Sequence, residues 1–106
     1  MKKVVAAATL GLLAIAGTAS ATDPDDVVGA VTKIHAGYLN SVVYVDIAGG
    51  AKVFNCDDAT IKFTTARGDT RAVQALVTAA YLAGKPVECR VTGCDGRYQA
   101  GERCRF

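Results

Sequence analysis

Residues 69–87 read DTRAVQALVTAAYLAGKPV and contain the clearest helix signal in the chain, on which the prediction of the fold class depends. Asp69 or Thr70 can cap the first turn, and the run that follows is rich in alanine and leucine. Gly84 can adopt the left-handed conformation that ends a helix, and Pro86 prevents the helix from continuing. We therefore predict a single helix in this stretch.

The predicted helix, residues 71–83, is apolar around most of its circumference. One set of residues has the spacing of a stripe that faces a core, namely Val73, Leu76, Val77 and Ala80. A second apolar set lies on the remaining surface, namely Ala72, Ala75, Ala79 and Leu82. Such a helix usually has a second surface to bury, which predicts a homo-oligomer or a partner contact through the second set. The alternative is that alanine is present as a good helix former.

Strands are predicted on both sides of this helix. Before it, runs of apolar and β-branched residues predict strands over residues 27–36, 42–47 and 52–63. Gly29 is expected at a bulge or bend of the first strand, and Gly49-Gly50 at the turn of a hairpin between the second and third strands. After the helix, two alternating segments predict a terminal hairpin. The strand order then matches a five-stranded OB barrel with a helix at one end, and an unclosed α+β sandwich fits almost as well.

Four cysteines indicate two disulfides. Cys89 alternates with polar residues as on a half-buried strand, and Cys104 does the same near the end of the chain. If these segments form the terminal hairpin, the two cysteines face each other, which leaves Cys56 and Cys94 as the second pair. A zinc or redox site is the alternative, but no histidine lies near the Cys-x4-Cys spacing. We predict the disulfides Cys89–Cys104 and Cys56–Cys94.

The first 21 residues predict export. They combine Lys2-Lys3, an apolar run shorter than the roughly 20 residues of a membrane span, and a small-x-small pattern at residues 19–21. The alternative is an uncleaved membrane anchor. We predict a secreted or periplasmic protein with three parts: a cleaved signal peptide at 1–21, a flexible acidic lead-in at 22–26 and a single domain at 27–106.

Charge and residue types exclude several function classes. Loss of the two signal lysines would balance the 12 Lys and Arg of the chain against its 10 Asp and Glu. A neutral surface gives no electrostatic argument for nucleic acid or anionic lipid. His35 is the only histidine, and Asp57 and Asp58, as neighbours on a strand, would point to opposite faces. We therefore predict a protein that is not an enzyme and holds no metal or cofactor.

Several short motifs resemble small exported bacterial proteins similar to the subtilase cytotoxin B subunit. In the first half of the chain they are VVGAV at 27–31 and YVD at 44–46. In the second half they are Cys56, IKF at 61–63, RAVQAL at 71–76, YLAGKPV at 81–87 and Gly93-Cys94. The resemblance implies an OB-type fold. For the toxin members it also implies a five-fold ring of B subunits that binds cell-surface glycans and carries a catalytic A subunit.

The function predicted on this basis is a non-catalytic binding module, a glycan-binding B-subunit-like protein. The alternative is a stand-alone secreted or periplasmic protein with a structural or inhibitory role and no sugar site. Candidate ligand-binding rings are Tyr44 and Tyr81, although Tyr81 could instead pack at the barrel end. Arg103 and Arg105 share one face of the last hairpin and suit an anionic glycan, with a solvated charged face as the alternative.

Overall fold

Five strands and one helix make up the regular structure of the part of the chain that the computed structural model describes, residues 25–37 and 39–106. The predicted signal peptide, the first residues of the lead-in and Tyr38 lie outside these residues. In chain order the elements are β1 (Asp26–Ala36), β2 (Val43–Ile47), β3 (Ile61–Phe63), α1 (Thr70–Ala83), β4 (Pro86–Asp95) and β5 (Tyr98–Arg105). The protein is therefore mostly β, with its helix between the third and fourth strands as predicted.

The five strands form one sheet in which each strand pairs with two neighbours. Their cyclic order is β1-β2-β3-β5-β4, and β4 returns to pair with β1. The pairing of β3 with β5 is parallel, whereas the other four pairings are antiparallel. Residues near the end of the chain are thereby placed beside residues from its middle.

The core lies inside the sheet and is covered by α1. Alternate residues of each strand point inward because successive side chains of a strand point to opposite faces. The buried strand residues include Val27, Val43, Val45, Ile47, Ile61, Phe63, Val87 and Val91. The helix contributes Val73, Val77 and Ala80, and Leu76 packs against this cluster, so the predicted core stripe is confirmed.

The ends of α1 also follow the prediction. The Asp69 carboxylate accepts a hydrogen bond from the Ala72 backbone N–H at 3.0 Å and caps the first turn. Gly84 adopts φ 67°, and its N–H bonds the carbonyls of the last turn. The helix therefore begins and ends where its local sequence indicates.

Both predicted disulfides are confirmed. Cys89 and Cys104 are direct partners in the β4–β5 pairing and are both buried. Cys56 and Cys94 join the segment between β2 and β3 to the end of β4. The first bond lies inside a hydrogen-bonded hairpin, and the second holds a segment that has no strand partner.

The first strand differs from the prediction in two details. It begins at Asp26, which pairs with Arg90, so the last residue of the predicted lead-in belongs to the sheet. The register shift lies between Val31 and Lys33, not at Gly29. A Cβ at Gly29 would lie 2.8 Å from a side-chain carbon of Ile47. Close packing against β2 is therefore the reason for glycine there.

The third strand is much shorter than predicted. Only Ile61–Phe63 is a strand, and residues 48–60 form an irregular loop, here called the β2–β3 loop. Gly49-Gly50 therefore begins a long connection and does not close a tight hairpin. The loop backbone bonds to β5 and to the turn before it, through Gln99 and Arg97. Gln99 and Arg97 are distant from the loop in sequence. The apolar pattern of the loop could therefore not show that hydrogen bonds to these two residues take the place of pairing with a neighbouring strand.

Candidate functional site

A groove of about 380 Å³ runs across the outer face of the sheet. It extends from β1 and β2 to the β2–β3 loop and the start of β5. Its lining residues are Lys33, His35, Tyr44, Asp46, Asp58, Thr60 and Tyr98. Most of these side chains are polar or aromatic, and we take the groove as the candidate functional site.

Strand alternation and register bring the first four residues together. On β2, Val43, Val45 and Ile47 point inward, so Tyr44 and Asp46 point outward. On β1, His35 is the partner of Tyr44 and Lys33 is the partner of Asp46. The groove floor therefore consists of two cross-strand rows, one aromatic and one charged.

Two tyrosines from different parts of the chain meet in the groove. The Tyr44 and Tyr98 ring centroids lie 5.2 Å apart with an interplanar angle of 64°, an edge-to-face arrangement. Tyr98 is the first residue of β5 and follows a turn in which Gly96 adopts φ 62°. The pair presents aromatic surface and two hydroxyl groups to a ligand.

Thr60 links two carboxylates at the loop end of the groove. Its hydroxyl donates a hydrogen bond to Asp46, and its backbone N–H donates to Asp58 Oδ1 at 3.0 Å. Hydrogen bonding by Thr60, first of all from its backbone N–H, holds the pKa of Asp58 below its ordinary value of 3.8; burial opposes this effect, and the positive charges of Arg97 and Lys52 add to it. Asp58 is therefore ionised at neutral pH and acts only as a hydrogen-bond acceptor.

The groove thus combines acceptors, donors and aromatic surface within one concave site. Carboxylate oxygens can accept hydrogen bonds from ligand hydroxyls, while Lys33 and the tyrosine hydroxyls can donate. Over residues 25–37 and 39–106, no group of three or more His, Cys, Asp or Glu is arranged to hold a metal ion. The arrangement suits the binding of a polar ligand that also has an apolar face.

The residues predicted to bind a ligand do not all lie together. Tyr44 lines the groove, but Tyr81 is exposed on α1 and does not. Arg105 is bound by Glu88, with 3.0 Å between its Nη2 and Glu88 Oε1. Arg103 lies in β5 as the partner of Arg90, away from the groove lining. Of the four candidates, only Tyr44 belongs to this site.

Most groove residues were missed at the level of sequence. The alternation of β2 does place Tyr44 and Asp46 on its outer face, and that signal was available. From the sequence, Asp58 and His35 are considered only as candidates for catalysis or metal binding, and neither is assigned to a ligand site. Thr60 and Tyr98 gave no signal, because their position depends on the loop fold and on the β3–β5 pairing.

The second apolar face of α1 is exposed. Ala72, Ala75, Ala79 and Leu82 are all open to solvent among the residues described, and Leu82 is 79% exposed. Tyr81 beside it is 52% exposed. No helix within the described ranges is long and apolar enough to cross a membrane.

Comparison with protein-family models, with curated proteins and with solved structures finds no match to this chain. The groove, the fold and the residues of the chain itself are therefore the basis on which a function can be inferred.

Proposed function

We propose that this protein is an exported, non-catalytic binding module of the OB type whose groove binds a saccharide. The cyclic strand order with a helix between β3 and β4 supports the OB assignment. OB barrels bind oligosaccharides or oligonucleotides on the face of the second and third strands and their flanking loops. The groove shares β2 with that surface, and it extends over β1, the β2–β3 loop and the start of β5. Two disulfides fit the oxidising conditions of a secreted or periplasmic protein.

The observation that carries the proposal is the tyrosine pair beside the ionised Asp58. A pyranose ring has an apolar face that can lie against an aromatic ring, and hydroxyls that need hydrogen-bond partners. Tyr44 and Tyr98 provide the aromatic surface, while Asp46 and Asp58 provide acceptors held in place by Thr60. Binding sites commonly combine apolar surface with a few fixed polar groups in this way.

The same carboxylates argue against a nucleic acid as the ligand. A groove for single-stranded nucleic acid follows the phosphate backbone with basic side chains. Here Asp46 and Asp58 lie in the groove with Lys33, so a phosphate would meet negative charge. A saccharide without phosphate incurs no such repulsion.

A B-subunit-like ring is a further part of the proposal. It is supported by the exposed apolar face of α1, which a neighbouring copy would cover, and by the resemblance of the sequence motifs. A ring of this kind would bind a cell-surface glycan and a catalytic A subunit. Light scattering of the purified exported protein tests it, because a ring has a mass near five protomers. A monomer would instead support the stand-alone alternative.

The binding proposal is tested with a panel of immobilised neutral and sialylated oligosaccharides. The full-length gene is expressed with export into an oxidising compartment, and the purified protein is applied to the panel. We expect Tyr44→Ala to weaken saccharide binding by about tenfold or more, since its ring, packed against Tyr98, supplies aromatic contact area in the groove. Tyr81→Ala is the matched control, because it removes an exposed tyrosine outside the groove.

Equal loss of binding in both tyrosine variants would contradict the assignment of the site. Failure of the unmodified protein to bind any member of the panel would contradict saccharide binding itself. Thermal unfolding of each variant shows whether a change in binding reflects loss of folded protein.

A further inference from the structure

Gln99 is a fully buried polar side chain between β5 and the β2–β3 loop. Its Oε1 accepts a hydrogen bond from the Val53 backbone N–H at 2.9 Å. Its Nε2 donates to the carbonyls of Ala51 at 3.0 Å and Ala59 at 2.8 Å. An amide has a carbonyl oxygen and two N–H donors, and the loop offers one donor and two acceptors to match them. The loop conformation is therefore complementary to glutamine.

These bonds replace the strand ladder that the loop lacks. Residues 48–60 form no strand, so their buried polar groups need other partners. The backbone of β5 adds one more bond, from the Gln99 N–H to the Thr60 carbonyl at 3.0 Å. The turn before β5 adds another, from the Asp58 N–H to the Arg97 carbonyl at 2.7 Å.

The anchored segment is the one that supplies the loop end of the groove. Ala59, whose carbonyl is bound by the Gln99 side chain, lies between Asp58 and Thr60. Both of these neighbours line the groove, whereas Gln99 does not. A displacement of Ala59 would therefore move Asp58 and also Thr60, which holds the carboxylates of Asp46 and Asp58 in place.

We propose that Gln99 is a positioning residue of the groove, which sets Asp58 and Thr60 through its three side-chain hydrogen bonds to the loop. Its effect on binding rests on the proposed saccharide function. Its effect on the geometry of the loop does not, because that can be measured without a ligand. Gln99 itself touches no ligand and acts only through the loop.

The main test is Gln99→Met, which keeps the length of the side chain and removes all three hydrogen bonds. We expect the Val53 amide to exchange with solvent about tenfold faster or more, because it loses its acceptor. We also expect the pKa of Asp58 to rise toward its ordinary value, since its hydrogen bond from the Thr60 N–H depends on the loop position. NMR measures both, by amide hydrogen exchange and by titration of the Asp58 carboxyl carbon.

Binding of Gln99→Met to the same oligosaccharide panel gives the functional readout, with an expected loss of about tenfold. The matched control is Val27→Ala, which truncates a buried β1 side chain that lines neither the loop nor the groove. It should lower stability yet leave Val53 exchange, the Asp58 titration and panel binding of the folded protein unchanged.

A second variant, Gln99→Glu, keeps the test valid if Gln99→Met fails to fold. A neutral glutamic acid retains one acceptor and one donor, whereas the ionised form turns negative charge toward the carbonyls of Ala51 and Ala59. Both forms still accept a hydrogen bond from the Val53 N–H, so the readout in this variant is the Thr60 amide, which follows Ala59 and bonds Asp58. Its NMR chemical shift should differ from that of the unmodified protein at neutral pH and partly return in mild acid. An unchanged Thr60 amide shift at neutral pH would contradict the proposal.

The outcomes for the two proposals can be separated. If Gln99→Met folds with an unchanged Asp58 titration and unchanged Val53 exchange, the positioning role is wrong whatever the protein binds. If the unmodified protein binds no oligosaccharide of the panel, but the NMR readouts of Gln99→Met change as expected, the saccharide proposal is wrong. The positioning of the loop by Gln99 is then still supported.

Discussion

The two disulfides hold regions of very different kinds. Cys89–Cys104 joins directly opposed residues of β4 and β5, where backbone hydrogen bonds already align the strands and both cysteines are buried. Cys56–Cys94 joins an irregular loop to the end of β4, and Cys94 is exposed. The first bond reinforces order that the sheet provides. The second contributes order where no ladder exists, beside the groove.

The largest expected effect comes from removing the loop disulfide with Cys56→Ala and Cys94→Ala. The bond joins residues 38 apart, and chain entropy then assigns it about 4 kcal/mol of the free energy of unfolding. We also expect weaker binding to the oligosaccharide panel, because Asp58 lies two residues from Cys56. Denaturant unfolding measures the first effect and the panel the second. Unchanged binding by the folded double variant would mean that the other loop anchors suffice.

Removing the hairpin disulfide with Cys89→Ala and Cys104→Ala should have a smaller effect on stability and none on binding. This bond joins residues 15 apart, so the same entropic estimate gives about 3 kcal/mol. Since neither cysteine lines the groove, the folded double variant should keep its panel binding. The same two measurements apply, made at a temperature where the variant is folded. A loss of binding as large as in the loop variant would contradict the claim that only the loop disulfide affects the groove.

A smaller effect is expected from acid. Hydrogen bonding by Arg67, at 3.0 Å, is the main cause that holds the pKa of Asp95 below its ordinary value of 3.8, aided by the charge of Lys62 and opposed by burial. A carboxyl whose folded pKa is lowered stabilises the protein above its unfolded pKa. This contribution is lost as the pH falls through the folded value, below 3.8.

The acid prediction is tested by following the melting temperature as the pH is lowered from neutral. Asp95→Asn should reduce the loss of stability in acid, and the difference should stay within about 1 kcal/mol because the pair is partly exposed. Asp57→Asn, which replaces an exposed aspartate, is the control and should behave like the unmodified protein. A steeper acid dependence in Asp95→Asn would contradict the sign of the pKa shift.

The elements that sequence reasoning identified correctly are those governed by local chemistry. The helix was predicted within one residue because its cap, its alanine-rich run and its terminal glycine act on near neighbours. The disulfide pairing followed from the alternation around Cys89 and Cys104. The β2–β3 loop was predicted as a strand because its apolar residues follow the alternating pattern of a strand. Its actual hydrogen-bond partners lie about 40 residues away or more, so the local pattern does not reveal them.

Local sequence patterns account for the kind of protein: five strands, one capped helix and two disulfides, with alternating side chains that place one face of each strand in the core. These features follow from spacings of two to four residues and from the chemistry of cysteine. The position of the groove, by contrast, depends on how the elements pack together. Tyr44 meets Tyr98, and Thr60 joins Asp46 to Asp58, only because β3 pairs with β5 and Gln99 anchors the loop. Contacts between residues far apart in sequence depend on that pairing, which no local pattern encodes.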